Sequence, residues 1–317
     1  MKNFAITGVG GFVAPRHLQA IRDTGNRLVA ALDPHDAVGI LDRYFEDVSY
    51  FQEFERLDRF VEKLRRKGEA ERIHYVSICS PNYLHDAHIR FALRVGADAI
   101  CEKPLVLNPW NLDALVELEK ETGRRVHNIL QLRVHPAIAA LRERIAAEPS
   151  GTAHAIDLTY VTSRGRWYDV SWKGSEEKSG GITTNIGVHF FDMLQWIFGP
   201  TKEMEVHELG PKRGAGWLRL ERATVRWFLS LEKADVPAGE RAAGKTTFRS
   251  LSLDGEEIEF SDGFADLHTQ VYREILAGRG FGIEDARPSI TLVHAIRKAP
   301  LAAPGPGRLH PFAVTSG

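Results

Sequence analysis

The sequence predicts an α/β protein in two parts. The first, residues 1–125, is a doubly wound parallel sheet. The second, residues 126–317, is an α+β domain with an open, mostly antiparallel sheet. Three observations predict this. Short, uncharged apolar runs alternate with amphipathic helical patterns as far as Arg125, which is the signature of parallel strands buried on both faces. The first of those runs ends in a cluster of glycines. Beyond Gly151 the pattern changes to strands with one polar face, where apolar and polar residues alternate.

Bulk properties exclude several classes. At 317 residues the chain is long enough for two cores, and 43% hydrophobic with 26% charged residues is ordinary for a globular protein. A net charge of -1 gives no field that would recruit nucleic acid or an anionic membrane surface. No apolar run approaches the ~20 residues of a membrane span, and the start, Met1–Gly8, reads as a strand rather than a signal peptide. The two cysteines, Cys79 and Cys101, each end an apolar run at a spacing that suits neither zinc nor a redox pair. They are expected as small buried residues of a cytoplasmic protein, with no metal. The chain has no internal repeat, and only 299–307 is rich in proline and glycine.

In the first part, Phe4–Thr7, Leu28–Leu32, His74–Cys79 and Ala97–Cys101 are the expected strands. Phe54, Leu57, Val61 and Leu64 keep helical spacing before Gly68, and Leu84, Ala87, Phe91 and Val95 do so between Asn82 and Gly96. Asn108-Pro109 opens a third helix that stops at Gly123. Three strand ends then fall on one edge. The first is Gly8-Val9-Gly10-Gly11-Phe12-Val13, where glycines admit a pyrophosphate and the following helix offers its unpaired N–H groups. Val13 replaces the small third residue of the dinucleotide fingerprint and implies a slightly wider helix–sheet contact. Asp33 ends the second strand where a ribose-binding acid belongs; its charge would repel a 2′-phosphate, and no basic residue follows before Arg43, so NAD is favoured over NADP. Ser80-Pro81-Asn82 ends the third strand. Glu102-Lys103-Pro104 breaks the chain after the fourth, because proline pushes the residue before it out of helix. A lysine just past a strand's carboxyl end lies where open α/β sheets bind ligands.

In the second part, Val126–Leu132 is expected as one more strand, leading through Arg133 to a helix ending at Ile145. Strands follow at Ile156–Tyr160 and Val225–Leu231, and Asp254-Gly255 is a hairpin turn joining Thr246–Leu253 to Glu256–Phe260. The open sheet face, carrying Trp217, Trp227 and Phe228, is expected to meet another subunit. Ile186, Phe190, Leu194 and Ile197 form the apolar stripe of a helix entered from Gly180-Gly181, which places Asn185, His189 and Asp192 on a different face. Those three lack the ligands zinc needs. Arg164-Gly165-Arg166-Trp167-Tyr168 puts two guanidiniums beside two aromatics, a set suited to an anionic, ring-containing substrate.

The glycine turn, Ser80-Pro81-Asn82, Glu102-Lys103-Pro104 and Gly187-Val188-His189-Phe190-Phe191-Asp192 together resemble the glucose-fructose oxidoreductase and inositol dehydrogenase family over nearly the whole chain. The resemblance implies a Rossmann domain followed by an open-sheet domain, assembly as homodimers or homotetramers, and NAD as cofactor. It implies Lys103 and His189 as the catalytic pair at the nicotinamide. Cofactor contacts are implied for Gly8, Gly10, Gly11, Phe12, Val13, Asp33, Ser80, Pro81, Asn82, His85, Glu102, Lys103 and Gln131. More narrowly, Val13–His17, Gln131–Pro136, Ser163–Tyr168 and Asp266–Thr269 resemble the branch acting on UDP-N-acetylglucosaminuronic acid. Its members oxidise the sugar 3-hydroxyl in the synthesis of bacterial surface polysaccharide (O-antigen, lipopolysaccharide). This nucleotide-sugar substrate is then expected at Lys103, Arg133, Arg164, Arg166, Trp167, Tyr168, Asn185 and His189. The chain departs from many relatives at Asn185, where they carry an aspartate; a neutral amide cannot raise the histidine's pKa as a carboxylate would. Two alternatives stay open: a related dehydrogenase of an inositol-like polyol, and a non-catalytic NAD-binding regulator.

Overall fold

The structure, a computed structural model, describes residues 1–260 and 266–315. The chain folds as two compact units, Met1–Gln131 with Ala265–Arg287, and Leu132–Phe264 with Pro288–Gly317. In the first, strands β1 (Asn3–Thr7), β2 (Arg27–Leu32), β3 (Ser49–Phe51), β4 (Tyr75–Ile78), β5 (Asp98–Cys101) and β6 (Val126–Asn128) form one parallel sheet in the order β3-β2-β1-β4-β5-β6. Helices α1 (Ala14–Asp23), α2 (Phe54–Lys67), α3 (His85–Arg94) and α4 (Pro109–Thr122) are its crossovers. The strands are apolar throughout because both faces are covered: Phe4, Ala5, Ile6, Val76, Ile78, Ala99 and Ile100 are fully buried. The chain order reverses between β1 and β4, which opens a crevice at their carboxyl ends.

Two elements of this unit lie outside the sequence division at 125. Strand β6 is a short edge strand paired in parallel with β5, and Gln131–Val134 after it is a 3-10 turn rather than more strand. The second is a helix from far along the chain, Leu267–Leu276, whose Tyr272 stacks on Phe4 at 6.0 Å between ring centroids.

The second unit begins with α5 (Pro136–Ala147) and β7 (His154–Thr162), followed by the short helices α6 (Arg166–Val170) and α7 (Glu176–Ser179) and by α8 (Val188–Phe198). Strands β8 (Thr201–Leu209), β9 (Arg213–Leu220) and β10 (Ala223–Ser230), helix α9 (Ala238–Ala242), and strands β11 (Thr247–Leu253) and β12 (Glu256–Glu257) complete it. Helix α10 is Leu267–Leu276 of the first unit, and α11 (Ile283–Lys298) follows. The sheet order is β12-β11-β7-β10-β9-β8, antiparallel except for the parallel β7–β10 pair. Asp254 and Gly255 both take positive φ, 53° and 88°, so the predicted hairpin turn has the mirror-image twist that strands require.

The expectation that Trp217, Trp227 and Phe228 share an open face fails on strand geometry. Neighbours on a strand point to opposite sides. Trp227 meets Phe191 of α8 edge-on at 5.4 Å, while Phe228 lies against the rings of His310 and Phe312 at 5.7 and 5.8 Å. Trp217, on the Phe228 side, is covered by the Arg308 guanidinium 3.9 Å from its ring. Residues of the chain's own C-terminal segment therefore cover Trp217 and Phe228, while α8 covers Trp227.

Candidate active site

The first unit assembles a nucleotide cradle. Gly8 sits at φ 75°, and a Cβ there would lie 2.6 Å from the backbone of Cys79 and Ser80, so glycine is required for this close approach. Gly10 N donates to Asp33 Oδ2 (2.9 Å) and His35 N to Asp33 Oδ1 (3.0 Å), which fixes the carboxylate on the rim of the glycine turn. Beside it lies a cleft of about 380 Å³, lined by residues that include Gly10, Gly11, Ala37, Ile40 and Arg43. Helix α1 starts at Ala14, with Pro15 in its first turn, so its N–H groups open toward the glycines. Phe12 is 88% exposed at the tip of the turn. A buried acceptor supplies a further fit: the side-chain Oε1 of Gln131, a residue 9% exposed just past β6, has no hydrogen-bond partner. A polar group left so is costly unless a ligand satisfies it. These features fit a bound dinucleotide.

Behind the cradle, histidines hold the strand ends. Ser80 Oγ and Thr7 Oγ1 both meet His88 Nδ1, at 2.9 and 3.0 Å, and burial pushes His88 down to about 4, so the ring is neutral. His85 was expected at the cofactor. It is instead buried, with Nδ1 on the carbonyl of Pro104 (2.7 Å) and Nε2 on that of Ser80 (2.9 Å). Its buried ring packs between two strand-end loops, each nitrogen facing one of their carbonyls. Asn82 is buried and begins a 3-10 turn ahead of α3, which starts two residues later than an Asn82 cap implies.

Lys103 follows β5, its peptide to Pro104 is cis, and its side chain is half-buried. Glu102 is buried beneath the loop. Its Oε1 accepts from Nε2 of His17 and Nε2 of His268, both at 2.9 Å. Burial by itself raises a carboxyl pKa, but these two imidazoles outweigh it and hold Glu102 well below the usual range. His17, His268 and Tyr272 were missed as site-supporting residues. A histidine inside a helical stripe carries no sequence signal that it meets an acid 85 or 166 residues away.

The second unit gathers titratable, aromatic and cationic side chains of its own. Thr183–Gly187 is a turn of π-helix leading into α8, a distortion frequent at functional sites. It carries Asn185, whose Nδ2 donates to the Tyr168 hydroxyl at 2.9 Å. Burial raises the Tyr168 pKa, and the Asn185 bond opposes this, leaving the phenol protonated. His189 is half-buried on the first turn of α8. Arg133, expected on the substrate, gives Nε and Nη2 to Asp192 at 3.0 and 2.8 Å in a pair 7% and 4% exposed. That fork is spent inside the protein. Arg164, Arg166 and Trp167 are exposed. One further cation joins them: Lys173 lies over the rings of Trp167 and Trp172, at 5.7 and 4.4 Å, and burial together with Arg164 lowers its pKa. Charges of one sign gathered over aromatic faces can take an anionic sugar nucleotide.

The chain matches two models of one family: its NAD-binding Rossmann domain over residues 2–129, and its C-terminal α/β domain over residues 142–224. Among solved structures, it is 52% identical to the WlbA (WbpB) dehydrogenase of Thermus thermophilus in complex with NAD and α-ketoglutarate, covering 98% of this chain and 100% of that one with a TM-score of 0.95. The same enzyme in complex with NAD and UDP-GlcNAcA matches with a TM-score of 0.94. A curated relative, the 2,7-anhydro-N-acetylneuraminate hydratase of Mediterraneibacter gnavus, is 28% identical over 206 residues, 63% of this chain and 50% of that protein. The chain spans about half the length of the curated relatives it matches. With both domains matched in order, this chain belongs to the glucose-fructose oxidoreductase/inositol dehydrogenase (Gfo/Idh/MocA) family of oxidoreductases.

Proposed function

We propose that this protein oxidises the sugar 3-hydroxyl of UDP-N-acetylglucosaminuronic acid, with NAD as electron acceptor. The observation that carries the reading is 52% identity, over 98% of the chain, to a dehydrogenase whose structure holds NAD and UDP-GlcNAcA. When bound, NAD accepts the carbon's hydrogen with its electron pair. The glycine turn and the N-terminus of α1 hold the pyrophosphate, Asp33 the ribose hydroxyls, and Gln131 offers its unpartnered oxygen to a coenzyme N–H. His189 takes the hydroxyl proton. Four residues before this histidine, where many relatives carry a carboxylate, this chain has the neutral amide of Asn185, bonded to the Tyr168 hydroxyl. Lys103, as an ammonium, donates to the same oxygen and favours alkoxide character in the transition state. Arg164, Arg166 and Lys173 hold the uronate and diphosphate charges, with Trp167 and Tyr168 lining the sugar, while Arg133 acts through Asp192.

The other Thermus complex, with α-ketoglutarate, supports a paired half-reaction. A bound 2-oxo acid would take the hydrogen and its electron pair at its ketone carbon, and His189 would give back the proton. We place the enzyme in the cytoplasm, in surface-polysaccharide synthesis; no helix among the described residues is long and apolar enough to cross a membrane. It assembles as a homodimer or homotetramer, through surfaces other than Trp217 and Phe228, which its own tail covers, and Trp227, which α8 covers; sedimentation analysis tests this.

The experiment supplies NAD, UDP-GlcNAcA and α-ketoglutarate and follows the 3-keto sugar by mass spectrometry. Lys103→Ala and His189→Ala are each expected to lose ~10²–10⁴-fold in rate while NAD binding survives. Near-normal turnover in either variant removes that residue from the mechanism. Equal turnover of UDP-N-acetylglucosamine, which lacks the carboxylate, refutes the uronate assignment.

A further inference from the structure

We propose that His17 and His268 are positioning residues: through Glu102 they fix the backbone of Lys103 and tie it to the helix that follows the glycine turn. The proposal deepens the functional reading above and rests on it for the role of Lys103.

Every hydrogen bond in the cluster has one direction. Nε2 of His17 and of His268 each donate to Glu102 Oε1 at 2.9 Å. Burial lowers the His17 pKa, so that ring is neutral and its Nδ1 is an acceptor. The proton at Nδ1 therefore comes from the Tyr272 hydroxyl, 2.7 Å away, and Tyr272 in turn accepts from Ser77 Oγ at 2.6 Å. Burial holds Tyr272 protonated. The second carboxylate oxygen, Oε2, accepts from the backbone N of Lys103 at 3.2 Å. At the other end of the same peptide unit, the Glu102 carbonyl accepts from Asn128 Nδ2 at 3.3 Å. The peptide that sets the direction of the Lys103 side chain is thus held at both its polar atoms.

The origin of the donors gives the arrangement its consequence. His17 lies in the first turns of α1, whose N-terminus faces the pyrophosphate site, and His268 and Tyr272 lie on α10. One buried carboxylate therefore registers the coenzyme-binding helix against the lysine loop, so a shift of α1 moves Lys103. The three ligand atoms lie within 4.8 Å of one another, a spacing that also suits a metal ion. Hydrogen bonding accounts for the geometry without one: both nitrogens converge on a single oxygen, and no atom of Ser77, Tyr272, His17, Glu102 or His268 is among the buried side-chain atoms left without a partner.

The test compares His268→Leu with His268→Gln, whose amide nitrogen replaces the Nε2 donor, in the full-length protein. His268→Leu is expected to lower kcat about 10²-fold, the scale of an ångström-sized misplacement, with KM for UDP-GlcNAcA within threefold. His268→Gln is expected to restore kcat to within about fivefold. Hydrogen exchange read by mass spectrometry over residues 102–105 is expected to speed up about tenfold in the leucine variant and not in the glutamine variant. That readout is independent of substrate, so a parent protein inactive on UDP-GlcNAcA would overturn the functional reading and leave the anchor standing. Unchanged exchange in His268→Leu, failure of the glutamine to rescue, or one equivalent of tightly bound metal per chain would overturn the anchor.

Discussion

Removing the carboxylate of Asp192 tests whether Arg133 serves the scaffold or the substrate. The pair is bidentate and nearly dry, with the guanidinium 7% and the carboxylate 4% exposed. Taking away one partner of such a pair leaves a buried charge uncompensated and costs about 3–5 kcal/mol. The Arg133 guanidinium also lies 5.7 Å from the Trp196 ring, and that contact survives the substitution, so Asp192→Ala belongs at the lower end, about 3 kcal/mol. With a urea dependence of about 2 kcal/mol per molar, the midpoint of the second unit should drop about 1.5 M. Replacing both residues together, Arg133→Met with Asp192→Leu, removes both charges and should recover most of that loss. Urea titrations followed by circular dichroism read both numbers. A single substitution costing less than about 1 kcal/mol, or a double variant no more stable than the singles, refutes the account. Kinetics supply the second arm. A scaffold role leaves KM for the sugar nucleotide within a few fold in the double variant, whereas a uronate contact would raise it about 10²-fold, the loss of a charged hydrogen bond of ~2–3 kcal/mol.

Three further outcomes follow from the same structure. Acid should weaken both units: burial pushes His88 and His310 down to about 4, so each is neutral when folded and takes up a proton on unfolding below about pH 6.5. The stability they confer is complete above pH 6.5 and is lost as pH falls toward 4, about 2 kcal/mol each by pH 5, and a urea midpoint unchanged between pH 7.5 and 5 would contradict this. Gly8→Ala should abolish measurable NAD binding in a fluorescence titration and destabilise the first unit by about 2 kcal/mol or more, because a Cβ at φ 75° meets the Cys79–Ser80 backbone at 2.6 Å. Asp33→Ser should raise the Kd for NAD about tenfold and improve that for NADP, since the repelling carboxylate goes while Arg43 still lines the cleft; unchanged preference between the two coenzymes would show that Asp33 does not select.

What could be read from the sequence divides along a physical line. The parallel strands and their crossover helices were legible because each announces itself within about ten residues, through an unbroken apolar run or a 3.6-residue stripe closed by glycine. Phe54–Leu64 and the Asp254-Gly255 turn are of that kind. Strand β3 was missed: it has three residues, half-buried, and little local pattern. The same holds for residues whose meaning depends on a distant partner. Arg133 reads as a cation two residues before a histidine–proline pair, until Asp192, 59 residues on, claims its fork. His85 reads as a helix-start histidine near a coenzyme loop until its ring is found buried between the carbonyls of Ser80 and Pro104. A sequence shows which side chains can carry charge or protons, and tertiary contacts decide which of them remain available. The glycine turn, Asp33 and Lys103 could be picked out early because strand-end position fixes their place in the crevice. Arg133 and His85 could not, since their chemistry is consumed by the fold that places the others.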